Sequence, residues 1–484
     1  MASLIHTPTE LYIDGCWVKS ANGATLDVKN PATGETLTSV SDAQPEDGQR
    51  ALQAAYAAQT DWAKTSSRDR AEILRRAFEG LVSRAEEFAL LMTLEMGKPL
   101  AESRAEVAYG AEFLRWFSEE AAHVTGRYSI APDGKSRLMV VKRPVGTCLL
   151  ITPWNFPLAM VTRKIAPAIA AGCTMVLKPA ALTPLTALLF TQVMDEAGLP
   201  AGVLNVIPTS RAGAVTGPLL KDSRLRKLSF TGSTEVGRRL IADSADQVLR
   251  VSMELGGNAP FIVFEDADID AAVEGALRAK LRNGGESCVA ANRFLVHSSV
   301  AERFGALLVE KMRSCSVGPG DTPGVTVGPL VDEASRSKVA ALVDGARADG
   351  ASVALGGNAL PGAGYFYEPT VLTNVPSTAR ILQEEIFGPV APIVTFDTEE
   401  EAIQLANATP FGLVCFAYTQ NINRGLRLAE ELETGMLGIN TGVVSNPAAP
   451  FGGVKQSGLG REGGAEGIDE YLETVYVGIA DPYV

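Results

Sequence analysis

Between Arg68 and Gly97 apolar residues recur at Leu74, Ala77, Phe78, Leu81, Ala85, Phe88 and Leu91, the three-and-four spacing of one helix face. The pattern predicts one amphipathic helix, stopped by Gly97 and Pro99. From Leu138 onward the texture changes to short β-rich runs at 138–142, 147–152, 175–178, 203–207, 227–231 and 249–254, most of them separated by helix-length segments. That alternation predicts a parallel sheet with crossover helices. A second series follows, with a strand at 261–264, a helix from Asp268 to about Leu281, a strand at 293–297 and strands near 391–396 and 414–418, predicting a second α/β domain. Segments 126–141 and 471–478 read as strands outside both series. Exposed β edges pair readily with another chain, so these predict a small oligomerisation unit.

The chain has 484 residues, enough for two or three domains of ordinary size. With 46% hydrophobic and 20% charged residues it has a globular composition, not a disordered one. Lys and Arg total 43 against 56 acidic residues, a net charge of −13, and no basic cluster offers itself to a phosphate backbone, which argues against nucleic acid as a partner. No uninterrupted apolar run reaches the roughly 18 residues of a membrane span. The first residues show no targeting pattern, and a cytoplasmic protein is predicted. Six dispersed cysteines without a CxxC pair, and three histidines, His6, His123 and His297, predict neither a disulfide framework nor a metal site.

Four local features carry candidate chemistry. Ile-Thr-Pro-Trp-Asn-Phe-Pro at 151–157 follows a buried strand, and Asn155 there either caps the next helix or points its amide at a ligand. Phe-Thr-Gly-Ser-Thr-Glu-Val-Gly at 230–237 joins a strand to a helix, where backbone N–H groups meet phosphates, although the GxGxxG dinucleotide fingerprint is absent. Glu254, before Leu255 and two glycines, ends a β run where a parallel sheet holds its ligand and is a candidate general base. Cys288 follows Asn-Gly-Gly-Glu-Ser in a loop that allows close approach of a substrate to a nucleophile, although a lone cysteine is also an ordinary buried apolar residue.

The ordered set WNFP, KPA, FTGST, ELGG, GxxC and EEIFGPV, extending from Tyr12-Ile-Asp-Gly15 to the PFGGVKQSGLGR run at 450–461, resembles the aldehyde dehydrogenase superfamily over essentially the whole chain. The resemblance implies an α/β fold with a Rossmann-type cofactor domain (1–125 and 142–254, with 439–461 returning to it), a catalytic α/β domain (255–438) and oligomerisation strands (126–141 and 462–484). It implies Cys288 as nucleophile, Asn155 with the Cys288 N–H as oxyanion donors, and Glu254 as the base that activates water against a thioester. For the cofactor it implies Lys178 on the adenosine ribose, Trp154, Gly232, Ser233 and Leu255 around the pyrophosphate and nicotinamide, and Glu385 with Phe387 on the nicotinamide ribose. Ala181, three after the lysine, stands where a Glu would repel a 2′-phosphate, so NADP is permitted beside NAD. No metal is implied.

Arg163, Arg282 and Ser445, with the contexts of Asn440 and Arg461, look like the succinate-semialdehyde dehydrogenase branch. Two guanidiniums and a hydroxyl suit the carboxylate of a short aldehyde, against the alternative that they are surface groups. Glutarate semialdehyde and sulfolactaldehyde fit the same residues. Two departures from the pattern stand out. Glu286 replaces the more usual Gln and adds a negative charge near the thiol, which is expected to raise its pKa. Ala290 replaces the second cysteine of a redox-regulated subset, so no local disulfide switch is expected. The rival reading, a cysteine hydrolase, needs His297, nine residues on, to reach the sulfur. A homodimer or homotetramer is expected.

Overall fold

The computed structural model describes residues 7–483; the ends of the first and last predicted segments, residues 1–6 and 484, lie outside the described residues. Five parallel strands, in spatial order Leu204–Val206, Met175–Lys178, Cys148–Ile151, Lys227–Thr231 and Arg250–Glu254, form the middle of an eight-stranded sheet. Cys148–Ile151, Met175–Lys178 and Lys227–Thr231 are buried at every residue, as strands covered by helices on both faces must be. Leu11–Ile13 with Cys16–Val18 closes one edge antiparallel, and Gly458–Leu459 closes the other. Strand order reverses at Cys148–Ile151, with Met175–Lys178 on one side and Lys227–Thr231 on the other, and such a switch opens a crevice at the carboxyl ends.

The second sheet has seven strands in the order Ser352–Leu355, Thr370–Thr373, Val390–Phe396, Ala291–His297, Ala259–Val263, Val414–Tyr418 and Met436–Ile439, parallel except for the first. Its amino ends, at Ala259, Ala291 and Val390, follow directly on Gly257, Cys288 and Phe387. The cleft therefore lies between the carboxyl edge of one sheet and the amino edge of the other.

The structure departs from the sequence expectation at three places. The 68–97 pattern is two helices, Ser67–Ser83 and Ala85–Met96, broken where Arg84 takes φ −109°, ψ 20°. The second is buried on most sides, including Phe88, Leu91, Met92, Glu95 and Met96, so it turns into the core instead of continuing along the surface. The 138–142 run leaves the parallel series: strand Ser136–Pro144 pairs antiparallel with Arg127–Ile130 and Leu472–Ala480, extending three residues past the expected limit of the unit. Residues 462–469 form no strand of the unit: Glu462 makes an isolated antiparallel bridge with Phe451, and helix Glu466–Asp469 packs on helix Ala159–Ala171.

A buried ion pair holds the crevice in shape. Lys98, between helices Ala85–Met96 and Leu100–Glu120, places its Nζ 2.5 Å from Glu106 Oε2, with both side chains 1% exposed. The other oxygen, Glu106 Oε1, accepts from the Leu158 and Ala159 N–H groups at 2.9 and 3.1 Å, satisfying the start of helix Ala159–Ala171. Lys98 Nζ also donates to the Asn155 carbonyl at 2.8 Å and lies 4.3 Å from the Phe156 ring centroid. Removing one partner of such a pair strands the other charge. Lys98→Met and Glu106→Gln should each destabilise by about 3–5 kcal/mol, and the double variant by less than the sum, measured by denaturant unfolding. Additive losses would show that the two groups act independently.

Candidate active site

The turn after Ile151 runs into helix Ala159–Ala171, whose start is capped by Glu106 and not by Asn155. The capping reading of Asn155 is thereby removed. Its Nδ2 instead donates to the Glu286 carbonyl at 3.0 Å, its own carbonyl accepts from Asn283 Nδ2 at 2.9 Å, and its Oδ1 is buried without a partner. Asn155 is thus bolted to the loop that carries Cys288.

That loop holds three successive left-handed residues, Asn283 (φ 58°), Gly284 (φ 62°) and Gly285 (φ 81°). A Cβ on Gly285 would lie 2.3 Å from the Gly388 carbonyl oxygen, and one on Gly257 would lie 2.6 Å from the Cys288 carbonyl oxygen. Glycine at these positions is what lets the cysteine loop, the Glu254 strand end and the Glu385 loop converge. Cys288 is partly exposed at the junction of two clefts. Burial pushes its thiol up to about 12, the Arg163 charge opposes, and Glu385 and Glu254 add to the rise. Its own backbone N–H faces the sulfur and favours the thiolate.

The expectation for Glu286 is corrected. Its carboxyl is 1% exposed and accepts from the Val331 N–H at 3.0 Å, burial lifts its pKa well above the usual carboxylate range, and the carboxylates that add to the rise at the thiol are Glu385 and Glu254. Glu254 lines the same cleft as Cys288, and both carboxyl oxygens are buried without a partner. Burial, then the Glu462 carboxylate, lifts its pKa well above the usual carboxylate range, against Arg163, Lys164 and Arg461.

The first cleft is lined by Trp154, Asn155, Gly232, Ser233, Glu254, Leu255, Cys288, Glu385 and Phe387, nine of the residues singled out from the sequence. Ser233 caps helix Thr234–Ser244 and accepts from the Val236 N–H at 3.4 Å, so the Gly232–Ser233 corner is a phosphate-sized site at a helix start. The Trp154 and Phe387 rings meet edge-on with centroids 5.4 Å apart. Glu385 Oε1 accepts from the Gly257 N–H at 3.1 Å, and burial raises its pKa to about 7. Lys178 and Ala181 do not line this cleft; they stand beyond it at the carboxyl edge of the sheet, where burial lowers the Lys178 pKa to about 8. Lys338, which donates to the Glu385 carbonyl at 2.7 Å, and Met160 also line the cleft and were not picked out from the sequence.

On the other side of Cys288 a narrow cleft is lined by Tyr109, Phe156, Met160, Arg163, Arg282, Ser445 and Phe451. Arg163 is 1% exposed, which removes the surface-group alternative for it. It pairs with Glu462 and stacks 4.2 Å over Phe451, leaving Nη1 buried and unpartnered. Lys164 Nζ also meets Glu462, at 2.5 Å, and the Ser229 hydroxyl at 2.9 Å. Arg282 is less committed: it reaches Ser445 Oγ at 3.4 Å and lies 5.0 Å over Phe156 and 5.7 Å over Tyr109. His297 is tied to Ser299 Oγ at 2.8 Å and the Asp397 carbonyl at 3.1 Å at the far end of its strand, away from Cys288. The cysteine-hydrolase reading needed His297 at the sulfur, and His297 is committed elsewhere. Asn440 is structural, paired with the Thr419 backbone on both sides of its amide.

Residues 17–477 match the aldehyde dehydrogenase family. A succinate-semialdehyde dehydrogenase of Paenarthrobacter nicotinovorans is 63% identical over 92% of this chain and 99% of its own. A glutarate-semialdehyde dehydrogenase of Pseudomonas aeruginosa is 48% identical over 97% of each chain. The crystal structure of an Escherichia coli NADP-dependent enzyme superposes with a TM-score of 0.97 at 47% identity, covering 98% of both chains. A cysteine, an amide and a carboxylate converge where a wide cleft meets a narrow one, and by its match over nearly the full length this chain belongs to the aldehyde dehydrogenase family.

Proposed function

We propose that the protein oxidises succinate semialdehyde to succinate with NADP or NAD. The observation that carries the reading is the narrow cleft itself, where Arg282, Ser445 and the unpartnered Nη1 of Arg163 surround the approach to Cys288. A carboxylate at the far end of a short aldehyde satisfies these donors while the carbonyl meets the sulfur. The Paenarthrobacter relative supports the choice of the four-carbon semialdehyde. Glutarate semialdehyde, the substrate in the name of the Pseudomonas relative, and sulfolactaldehyde carry the same kind of anionic end and remain the second reading.

The chemistry follows from the groups present. Cys288 is partly exposed and gives its thiol proton to solvent, a loss that the Arg163 charge favours; the thiolate adds to the aldehyde carbon, and the carbonyl oxygen becomes an oxyanion facing the Asn155 amide and the Cys288 N–H. One Asn155 amide hydrogen is already held by the Glu286 carbonyl, which fixes the amide plane in advance. The nicotinamide of the bound cofactor supplies a hydride acceptor. The residues fit such a group: a helix start at Gly232–Ser233 for the pyrophosphate, the Glu385 carboxyl for a ribose, and the buried Lys178 amine, with no carboxylate at Ala181 to exclude a 2′-phosphate. The thioester left on Cys288 is hydrolysed by a water whose proton goes to Glu254, the buried carboxyl with both oxygens unoccupied.

The three-stranded sheet exposes Tyr128 and Ile130 on one outer strand and Tyr476 and Ile479 on the other, open edges that suit pairing between copies in a dimer or tetramer. Six free cysteines accord with a reducing, cytoplasmic setting.

Cys288→Ala should abolish turnover while leaving cofactor binding, read by quenching of protein fluorescence; retained turnover would remove the mechanism. Because burial and Glu462 keep the proton on Glu254 at low pH, the base form grows only as pH rises, and the hydrolytic step should accelerate on the alkaline side. Glu254→Gln should abolish that rise and leave a single-equivalent burst of reduced cofactor. A variant that turns over with an unchanged pH profile would reassign the base. Arg282→Ala should raise KM for succinate semialdehyde at least about tenfold, the loss of a charged hydrogen bond, and leave KM for butanal nearly unchanged. Equal effects on the two aldehydes would refute the carboxylate site.

A further inference from the structure

Outside the narrow cleft lies a chamber of about 400 Å³, lined by Leu277, Arg278, Leu281, Arg282, Cys315 and Val443 among others. It adjoins the site: Arg282 and Val443 also line a small pocket with Ser445, and Arg282 and Ser445 line the cleft that reaches Cys288. Arg278 and Arg282 are four residues apart, so helix Ile269–Leu281 sets both side chains on one face at its carboxyl end, where cations are favoured. Arg282 leans inward to Ser445, Phe156 and Tyr109. Arg278 is exposed and forms no ion pair among the described residues. The one carboxyl in the chamber, Glu102, accepts from the Asn283 N–H at 2.5 Å, and burial raises its pKa to about 7 against the Lys98 and Arg282 charges.

We infer that this chamber is a collecting vestibule for short carboxylates, and that Arg278 is a specificity-determining residue that draws the anionic aldehyde to Arg282. The inference rests on the proposed anionic-aldehyde function and extends it to a residue outside the narrow cleft. The chain carries a net charge of −13, so its surface at large repels a small anion. The two guanidiniums of Arg278 and Arg282 place positive charge at the chamber, with Glu274 one turn before Arg278 on the same helix. The apolar walls supplied by Leu277, Leu281 and Val443 accommodate its methylene groups. An uncharged aldehyde of the same length gains nothing from the arrangement, so the vestibule adds to selectivity for charge and leaves the chemical step untouched.

The test is steady-state kinetics of Arg278→Gln, Arg278→Lys and Arg278→Glu with succinate semialdehyde and with butanal, at low and high salt. Arg278→Gln should lower kcat/KM for the anion about 3- to 10-fold, and Arg278→Glu should lower it further. Arg278→Lys should retain most of it, with kcat preserved in all three. Butanal should change by less than about twofold, and the fall of kcat/KM with salt seen for the anion in the unaltered protein should flatten in Arg278→Gln. Parallel losses for both aldehydes, or no loss for either, would overturn the vestibule. If the unaltered protein prefers succinate semialdehyde strongly and the variants do not move, the vestibule alone falls. If the unaltered protein shows no preference for the anion, the proposed function falls and the vestibule with it.

Discussion

The Lys98–Glu106 pair is the constraint on which the site depends. Both charges are withdrawn from water, and such a pair contributes little net stability against an apolar alternative. Its effect is geometric. One carboxylate oxygen ends the run of unsatisfied amides at helix Ala159–Ala171, and the ammonium fixes the Asn155 carbonyl. From that anchor follow the direction of the Asn155 amide toward the cysteine loop and the placement of Met160, Arg163 and Lys164 on the helix that separates the two clefts.

A second buried cluster sets the charge state of the chemistry. Glu462 lies between Arg163 and Lys164, and their two positive charges keep it ionised despite burial. Its negative charge in turn helps hold the proton on Glu254. Burial lowers the Lys164 pKa, and the Glu462 charge partly restores it. The same Arg163 opposes the rise in the Cys288 pKa. Cys288, Glu254 and the narrow cleft thus share one electrostatic network, and Arg163 bears on all three. It is no freely available guanidinium: Glu462 takes part of its charge, and Arg282 with Ser445 presents the less committed donors to a ligand.

Much of the site was legible in the sequence because its demands are local. A left-handed Asn-Gly-Gly run before a cysteine, two glycines after a glutamate, and a Ser at a helix start each state a backbone requirement within a few residues. The two α/β series were equally legible, since buried parallel strands write themselves as short apolar runs. What stayed hidden has distant partners. Lys98 meets Asn155 across 57 residues and Lys164 meets Glu462 across 298, and nothing near either lysine signals the encounter. The break at Arg84 was masked because apolar spacing runs on through it. The amino edge of the second sheet as a functional edge was also unreadable, because the general expectation places ligands at carboxyl ends.

Selection of an aldehyde by the negative charge at its far end is what the arginines of the narrow cleft would supply. The most direct measurement is cofactor reduction, followed by absorbance, with succinate semialdehyde, glutarate semialdehyde and butanal, each with NADP and with NAD, on the unaltered protein. The account predicts a kcat/KM for succinate semialdehyde far above that for butanal, with glutarate semialdehyde between or close behind. Equal kcat/KM for butanal and succinate semialdehyde would contradict it and leave a general aldehyde dehydrogenase whose arginines serve only the fold.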